Sequence, residues 1–323
     1  MSGNIIEVKN LVVDFQIEKS KMRAVDGSSF EIKEGRTTGL VGESGCGKSV
    51  TAYSILRLIP NPPGHISSGE ILYKGQDLLT LPIGEMRKIR GREIAMIFQE
   101  PMTALNPVHT IEKQMAEIYK IHFDFSKKEI FNKCVEMLKL VGISSPEKRI
   151  KDYPHQLSGG MRQRVMIAMA LSCSPKLLIA DEPTTALDVT IQAQILDLMN
   201  DLKSKNDMST LFITHDLGVV AEMCDDVIVM YAGKIVEKGT VFDIFEKPQH
   251  PYTRGLLDSI PKPGFSKTQK LPTIEGMVPD LTQPQKGCRF ADRCVFRQKL
   301  CYDQEPLLKN GKVACHFPLN GGL

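Results

Sequence analysis

The sequence predicts an α/β fold with an inserted helical block and an irregular C-terminal extension. Fully apolar runs at 177–180 and 211–214 are typical of buried parallel strands. Helical spacing dominates 101–170, most clearly at 111–121 and 127–141. Prolines recur beyond Glu246, where periodicity is lost. These observations divide the chain into a nucleotide-binding domain at 1–245 and an extension at 246–323.

Length and charge indicate a chain of two domains and argue against a nucleic-acid-binding protein. The chain has 323 residues, which at about 150 residues per domain agrees with two domains. Its 41 basic and 38 acidic residues leave a net charge of +3, and aromatic residues make up 6%. Such a chain is poorly suited to bind nucleic acid by bulk charge or by base stacking. Polar residues interrupt its most apolar stretch, 165–180, and the N-terminus lacks a signal-peptide pattern, so we expect a cytoplasmic chain.

The first third alternates apolar runs with turns. Runs at 5–8, 11–15 and 29–32 predict a small antiparallel β element, with a polar segment at 16–23. The run 37–41 predicts a strand that opens directly into a glycine-rich loop, and 49–58 has helical spacing. Further strands are expected at 69–73 and 94–99.

The glycine-rich loop has the spacing of a phosphate-binding loop, with its residues in the order Gly42, Glu43, Ser44, Gly45, Cys46, Gly47, Lys48 and Ser49. Glycines let backbone N–H groups point at phosphate oxygens, and the following helix N-terminus favours the same anion. Lys48 supplies positive charge to the β- and γ-phosphates, and Ser49 offers a hydroxyl to Mg²⁺. Cys46 is interpreted as a small filler. The loop predicts ATP with Mg²⁺.

Two carboxylates follow the apolar run at 177–180. Asp181 is the expected Mg²⁺ ligand, because Mg²⁺ near phosphates takes one or two carboxylates. Glu182 is the expected general base for an attacking water.

A second glycine-rich helix start precedes this strand. Ser158, Gly159 and Gly160 should open a helix over 161–171 and form another anion-binding N-terminus. One chain rarely needs two such sites for a single triphosphate. A head-to-tail dimer does, because the loop of one copy and the Ser-Gly-Gly start of the other would enclose the same nucleotide.

These motifs, in this order, resemble the ATP-binding cassette (ABC) ATPases. The resemblance implies a RecA-like core with an antiparallel β subdomain and an inserted helical subdomain. It also implies that Gln99 reaches Mg²⁺ and the attacking water, that Asp188 contacts the opposite subunit, and that His215 contacts the γ-phosphate. Phe15 would stack on adenine, with a core position as its alternative, and Val25 could pack against the same base. Met161 replaces the glutamine that commonly ends the family's signature.

One branch of the family is a closer match. The run from Met161 to Leu171, the His250-Pro251-Tyr252-Thr253 segment and a cysteine-bearing tail resemble the ATPase subunits of bacterial oligopeptide and dipeptide importers. Nickel importers share much of this pattern, and a non-transport ABC ATPase is the rival class. The resemblance implies membrane permease subunits, a homologous second ATPase subunit and, indirectly, a substrate-binding protein as partners. The chain would lie peripherally on the cytoplasmic face of the membrane.

Four cysteines crowd the tail: Cys288, Cys294, Cys301 and Cys315. In a reducing compartment such crowding suggests metal ligation before disulfides. The absence of a Cys-x-x-Cys pair weakens a zinc-ribbon interpretation. The family resemblance points to a [4Fe–4S] cluster with a structural role, and zinc or unligated thiols remain the alternatives.

Overall fold

The structure is a computed structural model that describes residues 3–18, 20–99, 104–185, 187–260, 272–283 and 285–321. The chain forms two compact units. The larger unit joins Gly3–Leu79 to Ile213–Leu323, and the smaller unit is Thr80–Phe212.

The larger unit begins with a four-stranded antiparallel sheet in the order β2-β1-β4-β5. Its strands are β1 (Asn4–Ile17), β2 (Ser20–Lys33), β4 (Gly64–Tyr73) and β5 (Gln76–Asp77). The two strands predicted at 5–8 and 11–15 are one strand, with a register shift between Val8 and Leu11. The described part of the polar segment 16–23 also continues the hairpin strands. An antiparallel ladder tolerates polar residues because one face can meet water.

The phosphate-binding pattern lies between β3 (Thr37–Val41) and α1 (Lys48–Ile55). All five β3 residues are buried, as expected of a strand covered on both faces. β3 pairs in parallel with β9 (Asp226–Tyr231), which pairs antiparallel with β10 (Lys234–Thr240).

The smaller unit carries two parallel strands and most of the helices. β6 (Ile94–Ile97) pairs with β7 (Leu177–Asp181), with Ile97 opposite Ala180. Its helices are α2 (Ile83–Ile89), α3 (Ile111–His122), α4 (Lys127–Leu140), α5 (Pro146–Arg149), α6 (Gly159–Leu171) and α7 (Val189–Asn206). Part of the predicted strand at 94–99 is wrong, because β6 ends at Ile97. Helix α6 begins at Gly159, two residues before the predicted start, because Ser158 accepts a hydrogen bond from Met161 N–H as the N-cap.

The chain enters the larger unit again within β8 (Ser209–Thr214) and continues through α8 (Leu217–Met223), α9 (Val241–Glu246), α10 (Pro251–Asp258) and α11 (Lys299–Asp303). The tail beyond Glu246 is therefore less irregular than predicted. Val313 in this tail forms an antiparallel bridge with Glu237 of β10. Among the described residues, we find no helix with the length and apolarity required to cross a bilayer.

Candidate nucleotide and cysteine sites

The phosphate loop is held close to neighbouring backbone. Gly47 has φ 106°, and a Cβ there would come within 2.5 Å of the Ala24 carbonyl oxygen. Gly42 has φ 152°, and a Cβ there would collide with the Met230 carbonyl. Both glycines are required because an L side chain would be strained by its φ and blocked by neighbouring backbone.

Lys48 is buried at the first position of α1. Its Nζ donates to the carbonyl oxygens of Gly42 at 2.8 Å and Glu43 at 3.0 Å, so the ammonium is held inside the curve of the loop. Ser49 follows in the first helical turn and is half-buried, while Ser44 and Gly45 are exposed at the loop tip. Burial raises the pKa of the Cys46 thiol, which keeps this 2% exposed side chain protonated and agrees with its interpretation as a filler.

The two predicted adenine contacts differ in exposure. Phe15 is half-buried, and its ring covers Gly64, where a Cβ would lie 2.6 Å from Phe15 Cε1. Val25 is fully buried beside Gly47. The adenine contact of each residue stays a prediction.

In the smaller unit, Gln99 and Glu182 meet at the carboxyl ends of β6 and β7. Gln99 Nε2 donates to Glu182 Oε2 at 3.0 Å, and Thr185 Oγ1 donates to the same oxygen at 2.9 Å. Glu182 has φ 46°, a left-handed conformation that is uncommon for a residue with a side chain. Asp181, the last residue of β7, is fully buried. The parallel register therefore brings together two residues that are 83 apart in sequence.

The Ser-Gly-Gly start of α6 lies against the start of α7. A Cβ on Gly160 would lie 3.0 Å from Ile191 Cγ2. Asp188 is the N-cap of α7 and accepts from Ile191 N–H at 2.9 Å. Ser158 and Gly159 are exposed, so this helix N-terminus is open to a partner. Ala186 lies outside the described residues.

His215 follows β8 and is exposed. The next residue, Asp216, caps α8 by accepting from Gly218 N–H at 2.8 Å. The strand end and the helix cap therefore fix the backbone on both sides of His215.

All four tail cysteines line one cavity in the larger unit. Its other walls are mostly apolar and include Pro251, Phe290, Ala291, Phe296 and Phe317. Burial raises the pKa of Cys288 to about 11, and it also raises the pKa of Cys294 and Cys315. Among the described residues, no three His, Cys, Asp or Glu side chains form an arrangement that could hold a metal ion.

The contact between the tail and the phosphate loop is not predicted by the sequence. His250 caps α10 by accepting from Tyr252 N–H at 3.0 Å, and Pro251 takes the first helical position. This start buries Tyr252, whose hydroxyl oxygen accepts the backbone N–H of Glu43 at 2.8 Å. The His-Pro pair signals a helix start in the sequence, but the contact with residue 43 has no local signal.

Two known family models match the chain. Residues 25–185 match the family model described as ABC transporter. Residues 236–301 match the oligopeptide/dipeptide transporter, C-terminal region.

Curated relatives resemble almost the whole chain. A probable peptide ABC transporter ATP-binding protein, y4tR of Sinorhizobium fredii, is 55% identical over 94% of this chain and 91% of its own. The oligopeptide transport ATP-binding protein OppD of Bacillus subtilis is 55% identical over 94% of this chain and 84% of its own.

Solved structures share the cassette. The ATP-binding cassette MJ0796, a dimer in a post-hydrolysis state bound to ADP and Pi, matches with a TM-score of 0.66 at 26% identity. The match covers 73% of this chain and 98% of that one. On the strength of these motifs and relatives, the chain belongs to the ABC transporter family as an ATP-hydrolysing subunit.

Proposed function

We propose that the chain energises the import of dipeptides or oligopeptides through a membrane permease. The observation that carries this proposal is the joining of a complete set of ABC motifs to the oligopeptide/dipeptide transporter C-terminal region at 236–301. The permease, a homologous second ATPase subunit and a substrate-binding protein are the proposed partners. The proposed location is the cytoplasmic face of the membrane.

Hydrolysis is proposed to proceed at the two nucleotide half-sites. Lys48 and the loop N–H groups bind the β- and γ-phosphates, and Phe15 and Val25 are the proposed base contacts. Glu182 takes a proton from a water whose oxygen attacks the γ-phosphorus, and the bond to the ADP oxygen breaks. Bound Mg²⁺, with Ser49, Asp181 and Gln99 as proposed ligands, would neutralise charge on the phosphate oxygens.

The remaining residues complete the proposed site. His215 is proposed to contact the γ-phosphate. The exposed start of α6, with Ser158, Gly159 and Gly160, is assigned to the nucleotide of a second cassette, with Asp188 at the subunit contact. The hydrogen bond from Gln99 to Glu182 supports the role proposed for Glu182, because it orients the carboxylate.

The test replaces Glu182 by Gln in the chromosomal copy. Uptake of a labelled tripeptide should fall by at least about 100-fold, because the general base is lost. The purified variant should bind ATP as the wild type does. Glu70→Gln, an exposed acid on β4, is the matched control and should transport normally. Loss of labelled nickel uptake with intact peptide uptake would overturn the proposed cargo, and undiminished hydrolysis would overturn the role of Glu182.

We also propose that the four tail cysteines hold an iron–sulfur cluster of the [4Fe–4S] type. Their convergence on one apolar-walled cavity supports this donor set, since such clusters are held by four thiolates. The described cysteines are not grouped as metal ligands in this structure, so the proposal rests on the shared cavity and on the family resemblance. When bound, the cluster would cross-link the tail and supply rigidity.

The cluster is tested by anaerobic purification of wild type, Cys301→Ser and Cys173→Ser. Iron and sulfide, with a visible charge-transfer absorption, should be present in the wild type and in Cys173→Ser, because Cys173 lies outside the cavity. Cys301→Ser should lose most of both. Stoichiometric zinc in place of iron, or neither metal, would overturn the proposal.

A further inference from the structure

An arginine of the tail forms an ion pair with one residue of the phosphate loop. Arg293 Nη1 donates to Glu43 Oε2 at 2.7 Å, and Nη2 donates to Glu43 Oε1 at 2.9 Å. The Arg293 side chain is 6% exposed. A bidentate pair of this kind combines two charge-assisted hydrogen bonds, and it fixes orientation as well as charge.

Arg293 is itself held in place by other groups. Its Nη2 donates to the Ile274 carbonyl at 3.0 Å, its Nε donates to the Glu275 carbonyl at 3.1 Å, and its Nη1 lies 3.3 Å from the Tyr231 hydroxyl. The guanidinium cannot move far without losing several hydrogen bonds. It therefore acts as a fixed positive charge against Glu43.

A second tail residue holds the same position. The Tyr252 hydroxyl accepts the Glu43 N–H, and the fully buried Tyr252 ring packs 4.6 Å from that of Tyr231 and 5.4 Å from that of Phe290, measured between ring centroids. The Glu43 carbonyl accepts from Lys48. The N–H, carbonyl and carboxylate of Glu43 are thus all engaged, and two of the three contacts come from the tail.

The charge of this arrangement matters for nucleotide binding. Glu43 belongs to a loop that binds a triphosphate, and a bare carboxylate there would repel the ligand. Arg293 cancels that charge and leaves Lys48 to act on the phosphates. We propose that Arg293 is a positioning residue of the nucleotide site, which neutralises Glu43 and, with Tyr252, holds the phosphate loop ready for ATP.

A second arginine provides the matched control. Arg289 donates to the Ala232 carbonyl and forms an ion pair with Asp26, so it also anchors the tail to the larger unit. The described contacts of Arg289 do not include the phosphate loop. Arg289→Met therefore removes tail anchoring while the charge balance at Glu43 stays unchanged.

The experiment measures the dissociation constant of a non-hydrolysable ATP analogue for the full chain at low salt. Arg293→Met should weaken binding about tenfold, because an unpaired carboxylate then faces the phosphates. Adding Glu43→Gln to Arg293→Met should restore binding to within about twofold, because the repelling charge is gone. Arg289→Met should lower the melting temperature and leave affinity unchanged.

Two conservative variants keep the test decisive if Arg293→Met does not fold. Glu43→Asp keeps the negative charge but shortens the reach to Arg293, so it should bind more weakly than Glu43→Gln. Arg293→Lys should retain most of the affinity, because the charge remains. Equal affinity of wild type and Arg293→Met, failure of the double variant to recover, or stronger binding by Glu43→Asp than by Glu43→Gln would overturn the proposal. None of these outcomes depends on the peptide cargo.

Discussion

The chain has two glycine-rich helix starts, and they are supported in different ways. The phosphate loop before α1 is held by residues distant in sequence, because Tyr252 and Arg293 both contact Glu43. The start of α6 is capped by its own Ser158, and Arg162 donates to the nearby carbonyls of Pro154 and Leu157. The first helix start is held by side chains of the distant tail, whereas the second is capped within its own segment and is exposed at Ser158 and Gly159. The supported loop is therefore suited to hold a ligand, and the exposed helix start is suited to contact a partner.

Substitutions at the two helix starts should differ most strongly in whether ATP binding or only ATP hydrolysis is lost. Lys48→Ala should abolish detectable ATP binding and hydrolysis, because the loop loses its central charge. Ser158→Arg should lower hydrolysis at least about 100-fold and leave ATP binding by the isolated chain unchanged, since the exposed helix start would serve the nucleotide of a partner. Equilibrium binding and phosphate release measure the two effects.

Thr110→Ala is the control for this pair. Thr110 caps α3 in the same unit as Ser158, by accepting from Lys113 N–H at 3.3 Å. This variant should hydrolyse ATP normally. If Ser158→Arg also lost ATP binding in the isolated chain, the contrast between the two helix starts would fail.

The next effect is the pH dependence of stability at His250, which caps the helix that carries Tyr252. His250 is fully buried, and this burial lowers its pKa to about 3. The folded chain therefore keeps His250 neutral, while the unfolded chain gains a proton below about pH 6.5. Stability is fully present above pH 6.5 and falls as the pH decreases toward 3, with a loss of about 2 kcal/mol between pH 7 and pH 5.

His250→Asn isolates this effect. Asparagine also caps helices but does not titrate, and buried Glu237, which accepts from His250 N–H at 3.0 Å, is present in both proteins. Denaturant unfolding at several pH values should show the wild type losing stability relative to the variant on acidification. Parallel pH profiles for the two proteins would contradict the buried neutral histidine.

The smallest effect is expected at the local cap of α6. Ser158→Ala removes only the hydrogen bond from Met161 N–H, so the free energy of unfolding should fall by about 1 kcal/mol. Thermal unfolding measures this loss. A much larger loss would show that the start of α6 is part of a tertiary network after all, which would remove the contrast.

The order of motifs predicted the cassette, and the family resemblance together with the Asp-Glu motif assigned Gln99 and Glu182 to the same attacking water. Gln99 and Glu182 follow neighbouring parallel strands, so their approach follows from strand pairing. The extent of the β1–β2 hairpin was predicted too short, because polar residues there gave no alternating apolar signal.

The contacts of Glu43 were not predictable from the sequence. Glu43 occupies an unspecified position of the phosphate-loop pattern, and nothing near it indicates a buried arginine 250 residues later. A sequence pattern predicts the structure of neighbouring residues, whereas an ion pair between distant segments depends on how the tail packs. Such contacts become visible only when both segments are placed in three dimensions.

The contacts of the tail with Glu43 limit how far the protein can be truncated without a change at the phosphate loop. The region matched as a cassette, 25–185, contains neither Tyr252 nor Arg293. A protein shortened after β10 would keep every motif of the nucleotide site but would lose the tail contacts of its phosphate loop. A chimera that exchanges tails between homologues would keep the same motifs and change those contacts. Minimal cassettes made from this chain would therefore differ from the full chain in how they bind ATP.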